Sequence, residues 1–161
     1  MSAALIISFF FLTSFLEIVA SIAGICGIIV YLINLMFNTK YSFLVYVVSS
    51  IISLILTPTK SAVILYIVFF GIYPPLYSLL NKIKNKILKN SIKIASLTVF
   101  SVILSVLYDF VFGFSKWQNK KMFLLSVAIF LILTLFYNLT LFYFKIYYNN
   151  ILKNKLNSFI T

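Results

Sequence analysis

Long apolar segments alternate with short polar breaks along the whole chain. Each apolar segment is continuous and does not alternate residue by residue, which is typical of membrane-spanning helices and not of barrel strands. Backbone polar groups in hydrocarbon must be paired within a helix or around a closed barrel. The pattern therefore predicts an all-α, polytopic transmembrane helix bundle of about six helices, in a single domain that covers residues 1–161.

The number of helices depends on the first apolar stretch, Ala3–Phe37, which contains one acid, Glu17. As one helix this stretch would be about 50 Å long, whereas the hydrocarbon core is roughly 30 Å thick. Two spans, about Ala3–Leu16 and Ser21–Phe37, therefore fit better. The alternative is one long tilted helix, which would give five helices. No lysine precedes the stretch and it extends past the length of a signal core, so a cleavable signal peptide is disfavoured.

Four further apolar spans follow, and a basic connector at residues 81–93 separates the second of them from the third. The connector alternates Lys with Ile and Leu, which predicts a short helix in the membrane interface with its lysines toward anionic headgroups. The predicted spans are roughly Tyr41–Leu56, Ala62–Leu80, Ile94–Phe112 and Met122–Phe144.

The span Ala62–Leu80 contains Gly71, Pro74 and Pro75. Proline has no backbone N–H and disrupts the preceding helical turn, so we expect a kink or an interrupted helix at this point. Interrupted helices with free carbonyls mark binding sites in some transporters, although a plain kink near a membrane boundary is the commoner case.

Small residues recur one helical turn apart in the second span, as the pairs Ala20/Gly24 and Ala23/Gly27. Such pairs let helix backbones approach closely in lipid, where apolar contact alone gives no driving force. Packing inside the chain is the favoured interpretation, and an interface with a partner subunit is the alternative. Near the end of the same span, Tyr31 and Asn34 are candidates for lining a cavity or for an interfacial position.

Composition agrees with a lipid bilayer as the main partner. The chain is 63% hydrophobic and 9% charged, whereas soluble domains are nearer half apolar and a quarter charged. Its net charge of +11 comes from thirteen lysines against two acids. These lysines lie between apolar spans and no base-reading motif accompanies them, so nucleic acid is not an expected partner.

The lysines also predict an orientation, because cytoplasmic loops carry the excess of positive charge. With the connector in the cytoplasm, nine lysines are inside and four are outside. This predicts a multi-pass protein of the bacterial plasma membrane with a cytoplasmic C-terminus. The inner set is Lys40, Lys82, Lys84, Lys86, Lys89, Lys93, Lys145, Lys153 and Lys155, and the outer set is Lys60, Lys116, Lys120 and Lys121.

Both acids fall toward the outer side in this orientation. Carboxylates at membrane depth are costly to desolvate and are therefore functional candidates. One hypothesis is an outward-facing pocket whose candidate substrate-binding residues are Glu17, Asp109, Lys60, Trp117 and Asn138. The alternative is that the two acids form interfacial salt bridges with nearby lysines.

Residues for catalysis are largely missing from the chain. It has no His, one Cys (Cys26), one Asp and no phosphate-binding Walker motif. This composition excludes a Ser-His-Asp triad, a multi-cysteine or His-based metal site and a pair of catalytic aspartates. We therefore expect no enzymatic activity, no cofactor and no metal.

Several short motifs lie together between Asn34 and Lys93: Lys40-Tyr41, Ser49-Ser50, the Pro58 turn with Lys60, the run FFGIYP and the lysine-rich connector. This pattern resembles a group of small bacterial membrane proteins related to the S components of energy-coupling-factor (ECF) transporters. The resemblance implies a six-helix bundle that binds a vitamin or related micronutrient near the outer face. It also implies docking, through small residues of the first helices, onto a coupling protein with two ATPases; Ala4/Ser8 is the nearest equivalent of that docking motif here.

The resulting functional prediction is a substrate-capture subunit of the S-component type, with ATP hydrolysis supplied by partner subunits. A structural or accessory membrane subunit is the alternative from a different class. A third and weaker alternative is a toxin-like or immunity-type membrane protein, which small size and basic charge suggest.

Overall fold

The computed structural model describes the backbone of residues 1–12, 19–58, 60–112 and 120–152, and the side chains of residues 1–11, 19–58, 60–107 and 123–150. Within these residues the structure is helical and has no strands, so the all-α prediction is confirmed. The helices are α1 (Ser2–Leu12), α2 (Val19–Met36), α3 (Thr39–Leu56), α4 (Lys60–Leu65), α5 (Tyr73–Leu80), α6 (Lys86–Phe112) and α7 (Lys120–Tyr147). Two π-helical segments, Tyr66–Phe70 and Tyr148–Leu152, follow α4 and α7.

Five helical segments in the described part are long and apolar enough to cross a membrane, and α1 is a shorter apolar helix. Segment α4, the π-helical turn Tyr66–Phe70 and α5 together form one of the five, Lys60–Leu80. The described residues therefore form a bundle of six helical rods, as expected for an integral, multi-pass membrane protein.

The first apolar stretch folds as two helices. The Cys26 thiol of α2 contacts the carbonyl oxygen of Ile6 in α1, with Sγ and O 3.9 Å apart. In one continuous helix these residues would be about 30 Å apart at 1.5 Å per residue. The single long helix is therefore excluded, and α1 packs back against α2 and α3.

Local sequence explains both ends of α3. The Asn38 backbone is extended, and its side-chain Oδ1 accepts a hydrogen bond from the backbone N–H of Thr39 at 2.7 Å, which caps the helix start. Thr57 is also extended, with φ −83° and ψ 132°. Pro58 follows it and disfavours helical geometry at the preceding residue, so α3 ends at Leu56.

The connector differs from its expected form. Residues 81–85 make a turn, and the helix that starts at Lys86 continues without interruption to Phe112. Lys86, Lys89 and Lys93 therefore lie in the first turns of the fifth span, and no separate short helix forms. No proline or glycine occurs between Lys86 and Phe112, so nothing in the local sequence stops the helix.

The core surrounds α2 and the interrupted fourth span and is rich in aromatic side chains. Its largest fully buried members include Tyr31, Tyr66, Tyr73, Tyr77, Phe10 and Phe69. Segments α6 and α7 pack mainly against each other, and many of their apolar side chains face outward. Outward apolar side chains in a membrane protein are in contact with lipid or with a partner in lipid.

Candidate functional site

The first candidate site is the interruption of the fourth span. The π-helical turn ends where the Gly71 N–H donates to the Tyr66 carbonyl oxygen at 2.7 Å, five residues back. Pro74 and Pro75 lie in the first turn of α5. A missing N–H is tolerated there because the first helical N–H groups have no partner within the helix. The helix is therefore interrupted between Phe70 and Tyr73, next to Gly71 and before the two prolines.

The two prolines leave the Phe70 carbonyl without a donor from its own helix. Its donor would be the N–H of residue 74 in an α-helix or of residue 75 in a π-helix, and both residues are proline. The Tyr137 hydroxyl of α7 donates to this oxygen instead, at 3.1 Å. Tyr46 of α3 likewise donates to the carbonyl of Ile67 at 2.8 Å.

Gly27 of α2 lies against the same carbonyl. A Cβ at this position would overlap the Phe70 carbonyl oxygen and the Tyr137 hydroxyl. Ala23, one turn earlier, is fully buried, whereas Ala20 is exposed and Gly24 lies partly buried beside the Phe70 ring. The pair Ala23/Gly27 thus packs inside the chain against the interrupted helix.

The interruption is therefore filled by the protein itself. Its carbonyls at Ile67 and Phe70 already accept hydroxyl hydrogens, and the Tyr66 hydroxyl pairs with the Ser49 hydroxyl at 2.8 Å. Aromatic rings surround the junction, with the Phe70 and Tyr137 ring centroids 4.8 Å apart. This arrangement stabilises the bundle and leaves no free carbonyl at these two positions for a ligand.

The second candidate site is a cleft at the end of the bundle where α2, α3, α5 and α7 meet. Its volume is about 320 Å³, which falls at the lower end of the range for small-molecule sites, about 300–1,000 Å³. Most of its lining residues carry polar side chains, in contrast to the lipid-facing surface around it. They are Tyr31, Asn34, Leu35, Phe37, Asn38, Thr39, Ser78, Asn81, Lys82 and Lys145.

Asn34 forms the buried floor of this cleft and is 8% exposed. Its Oδ1 accepts hydrogen bonds from the Ser78 hydroxyl at 2.9 Å and from the Thr39 hydroxyl at 3.5 Å. Its Nδ2 has no hydrogen-bond partner among the described residues. A buried donor left without a partner costs about 1–3 kcal/mol, so the polar groups at the floor of the cleft satisfy the Asn34 side chain only in part.

The charge at this cleft is positive. Lys82 at its rim is exposed and Lys145 of α7 is partly buried. Among the side chains described at the cleft there is no carboxylate. Just outside, the Lys93 ammonium lies over the Tyr77 ring, 4.6 Å from its centroid, in a cation–π contact.

The structure does not bring the described residues of the expected outer pocket together. The Lys60 ammonium donates to the Leu54 carbonyl at 2.5 Å, across the turn before α4. The Asn138 Oδ1 accepts from the Tyr73 hydroxyl at 3.1 Å. Tyr73 follows Lys60 by thirteen residues, which is about 20 Å along a helix. Lys60 and Asn138 therefore belong to different parts of the bundle.

The other three residues of that expected pocket lie wholly or partly outside the described part of the chain. Glu17 and Trp117 lie outside the described residues. Asp109 lies in α6, but its side chain is outside the described part. The outer pocket stays a prediction.

Sequence reasoning singled out Asn34 but missed Ser78, Asn81, Lys82 and Lys145 as its companions. The positions of three polar residues in the sequence could have indicated this cluster. Asn38, Asn81 and Lys82 occupy two polar breaks that the lysine count places on the same side of the membrane. The meeting of Asn34 with Ser78, 44 residues apart, depends on how the spans pack.

Comparison with protein-family models, curated proteins and solved structures finds no match for this chain.

Proposed function

We propose that the chain is a membrane subunit that binds a small solute in the cleft formed by α2, α3, α5 and α7, without catalysis of its own. The polar lining of this cleft, with Asn34 in it, carries this proposal. A helix bundle that serves only for assembly gains nothing from a cluster of polar side chains between its helices, because apolar packing at the same place avoids the cost of desolvating them. A bound solute with polar atoms would pair with these side chains.

The more specific form of the proposal is a subunit of the S-component type. The sequence resemblance and the six helical rods support it. Ala4 and Ser8, which the resemblance relates to docking, are exposed on α1. In this form the chain resides in the bacterial plasma membrane with a cytoplasmic C-terminus, and a coupling protein with two ATPases is its partner. Its substrate is a vitamin or related micronutrient. In this orientation the cleft lies at the inner end of the bundle, whereas the resemblance implies a pocket near the outer face, so the position of the cleft counts against this form.

The test has two readouts on the full-length protein. A tagged chain is co-expressed with a bacterial ECF coupling protein and its ATPases, and recovery of the complex is measured in mild detergent. Thermal unfolding of the purified chain is then measured with a panel of vitamins and related solutes. Stoichiometric recovery supports the specific form, and stabilisation by a solute supports the general one.

A matched pair of variants makes the second readout specific. Asn34→Leu replaces the buried amide with an apolar side chain of similar size, whereas Asn90→Leu makes the same change at an exposed position of α6. Solute stabilisation should be lost in the first variant and retained in the second. If no solute stabilises the wild-type chain, the proposal of a binding subunit is wrong.

An accessory membrane subunit is the second candidate, and the α6–α7 hairpin favours it. In the most apolar 18-residue segment of each of the spans Lys86–Leu107 and Phe123–Asn150, 22% is buried inside the bundle, whereas the corresponding share in Lys60–Leu80 is 56%. The outward-facing apolar surface of these two spans can contact lipid, but it can also pack against a helix of a partner protein. An accessory subunit should be unstable when expressed alone and should show no solute-dependent stabilisation.

A further inference from the structure

We infer that the ligand of the cleft is an anion that carries a phosphate group. The inference rests on the proposed function, because it assumes that the cleft binds a ligand. It adds the chemical class of that ligand. Three observations support it: the charge around the cleft, the hydrogen-bond groups that line it and an apolar helix face beside it.

The charge is one-sided. Lys82 and Lys145 line the cleft. The whole chain contains two acids. Asp109 follows Lys86 by 23 residues in α6, which is about 35 Å along the helix. That distance exceeds the Debye length of about 8 Å at physiological salt, so Asp109 does not neutralise these lysines.

Helix dipoles reduce this positive charge but do not cancel it. The C-terminal ends of α2 at Met36 and of α5 at Leu80 lie at the cleft. Each end contributes about half a negative elementary charge, and the N-terminus of α3 at Thr39 contributes about half a positive one. Lys82 and Lys145 alone add two full positive charges. The balance at the cleft therefore favours an anion.

The lining also has an excess of hydrogen-bond donors. The side-chain oxygen of Asn34 already accepts hydrogen bonds from the Ser78 and Thr39 hydroxyls. The side-chain oxygen of Asn38 accepts a hydrogen bond from the Thr39 backbone N–H. The amide N–H groups of the exposed Asn38 remain to donate, and an ammonium group can only donate. The complementary ligand is one that mainly accepts, and a phosphate has charged acceptor oxygens for this purpose.

The size and surroundings of the cleft indicate two sources of phosphate. Its volume of about 320 Å³ holds a phosphate ester of a small polyol. Beside it, an apolar face of α7 carries Phe136, Leu139, Thr140, Tyr143, Phe144 and Tyr147. Phe144 of this face packs against Tyr31 of the cleft, with ring centroids 6.3 Å apart. A phospholipid headgroup in the cleft would thus have a path for an acyl chain, and a soluble phosphate ester would use the cleft alone.

The first arm of the test uses soluble probes on the full chain in neutral detergent. Thermal unfolding and equilibrium binding are measured with glycerol 3-phosphate and, as the uncharged comparison, glycerol. The variant Lys82→Gln/Lys145→Gln removes both charges from the lining. Its matched control, Lys84→Gln/Lys86→Gln, removes two exposed lysines that do not line the cleft.

The second arm uses lipid. The same proteins are placed in nanodiscs of phosphatidylglycerol mixed with phosphatidylcholine, and the lipid retained after transfer to detergent is identified by native mass spectrometry. We expect glycerol 3-phosphate to bind and glycerol not to, or phosphatidylglycerol to be retained in preference to phosphatidylcholine. In Lys82→Gln/Lys145→Gln, the loss of hydrogen bonds to a charged group should reduce the affinity for either ligand more than about tenfold. In the control variant, the affinity should change less than about threefold.

The outcomes separate this inference from the proposed function. Binding of glycerol 3-phosphate supports both, whereas retention of phosphatidylglycerol alone supports the anion site and argues against capture of a soluble substrate. Asn34-dependent stabilisation by a neutral vitamin, without phosphate binding, overturns the inference and leaves the proposed function standing. Equal weakening in both lysine variants also overturns the inference, because a general surface-charge effect then accounts for the binding.

Discussion

Tyr137 donates its hydroxyl hydrogen to the carbonyl oxygen of Phe70, which lies 67 residues earlier in the chain, at a distance of 3.1 Å. Residues 74 and 75 are prolines, so this oxygen has no N–H donor in its own helix. Water cannot replace such a donor easily in the apolar interior of a membrane bundle. The tyrosine of α7 therefore completes a hydrogen bond that the fourth span cannot make, and it ties the two spans together.

Tyr137→Phe should destabilise the protein by about 1–3 kcal/mol, because it leaves the buried Phe70 carbonyl without a donor while the ring remains in place. The measurement is unfolding of the purified chain in detergent, by heat or by a denaturing detergent titration. Tyr143→Phe, at an exposed position on the same helix, is the control and should have almost no effect. Equal stability of Tyr137→Phe and wild type would show that the carbonyl finds another partner.

Restoring the missing donor should reduce the need for Tyr137. Pro74→Ala supplies an N–H four residues after Phe70, so the loss caused by Tyr137→Phe should be smaller in this background. A double-mutant cycle measures the difference, and we expect a coupling energy of about 1 kcal/mol for groups that share one acceptor. Additive losses would mean that residue 74 cannot reach the Phe70 carbonyl.

Gly27→Ala should destabilise the bundle by about 1–3 kcal/mol or more, because the new methyl group overlaps a backbone carbonyl that cannot rotate away. The same methyl group would displace the Tyr137 hydroxyl. Gly24→Ala is a close control one turn earlier in α2, since its nearest contact would be the Phe70 ring at an ordinary 3.7 Å. Equal effects of the two substitutions on thermal unfolding would contradict the assignment of Gly27 to this junction.

A buried pair of hydroxyl groups gives a further prediction, in which a second substitution restores stability that the first one removes. The Ser49 hydroxyl donates to the Tyr46 carbonyl at 3.1 Å and lies 2.8 Å from the Tyr66 hydroxyl, which then donates to Ser49. Ser49→Ala should cost about 1–3 kcal/mol because it leaves the Tyr66 hydroxyl without a partner. Adding Tyr66→Phe removes that unpaired group, so the double variant should be more stable than Ser49→Ala alone. A double variant less stable than Ser49→Ala would show that Tyr66 has another partner.

The helices follow from sequence more closely than the site does. Asn38 and Pro58 set the ends of α3 through local capping and steric effects, which act within a few residues and can be recognised in the chain alone. The continuation of α6 through Lys86–Lys93 was not expected, because lysines suggested a boundary although no residue there breaks a helix. The cleft depends on Asn34 meeting Ser78 from another span. A single sequence shows which residues share a helix face, but it does not specify which faces pack together.

The orientation of the bundle can be tested at the two ends of the fourth span. Lys60 and Lys84 are exposed, and they lie before and after the segment Lys60–Leu80, which is long and apolar enough to cross the membrane. With Cys26 replaced by Ala, single cysteines at these two positions are labelled with a membrane-impermeant maleimide. Because the excess of lysines marks the cytoplasmic side, Lys60→Cys should react in intact cells and Lys84→Cys only after permeabilisation. The Cys26→Ala chain without added cysteines is the control and should not be labelled. The opposite labelling pattern would place the cleft of Asn34 and Lys82 at the outer face, where an S-component-type pocket for a captured solute is expected. Labelling of both positions from one side would contradict a fourth span that crosses the membrane.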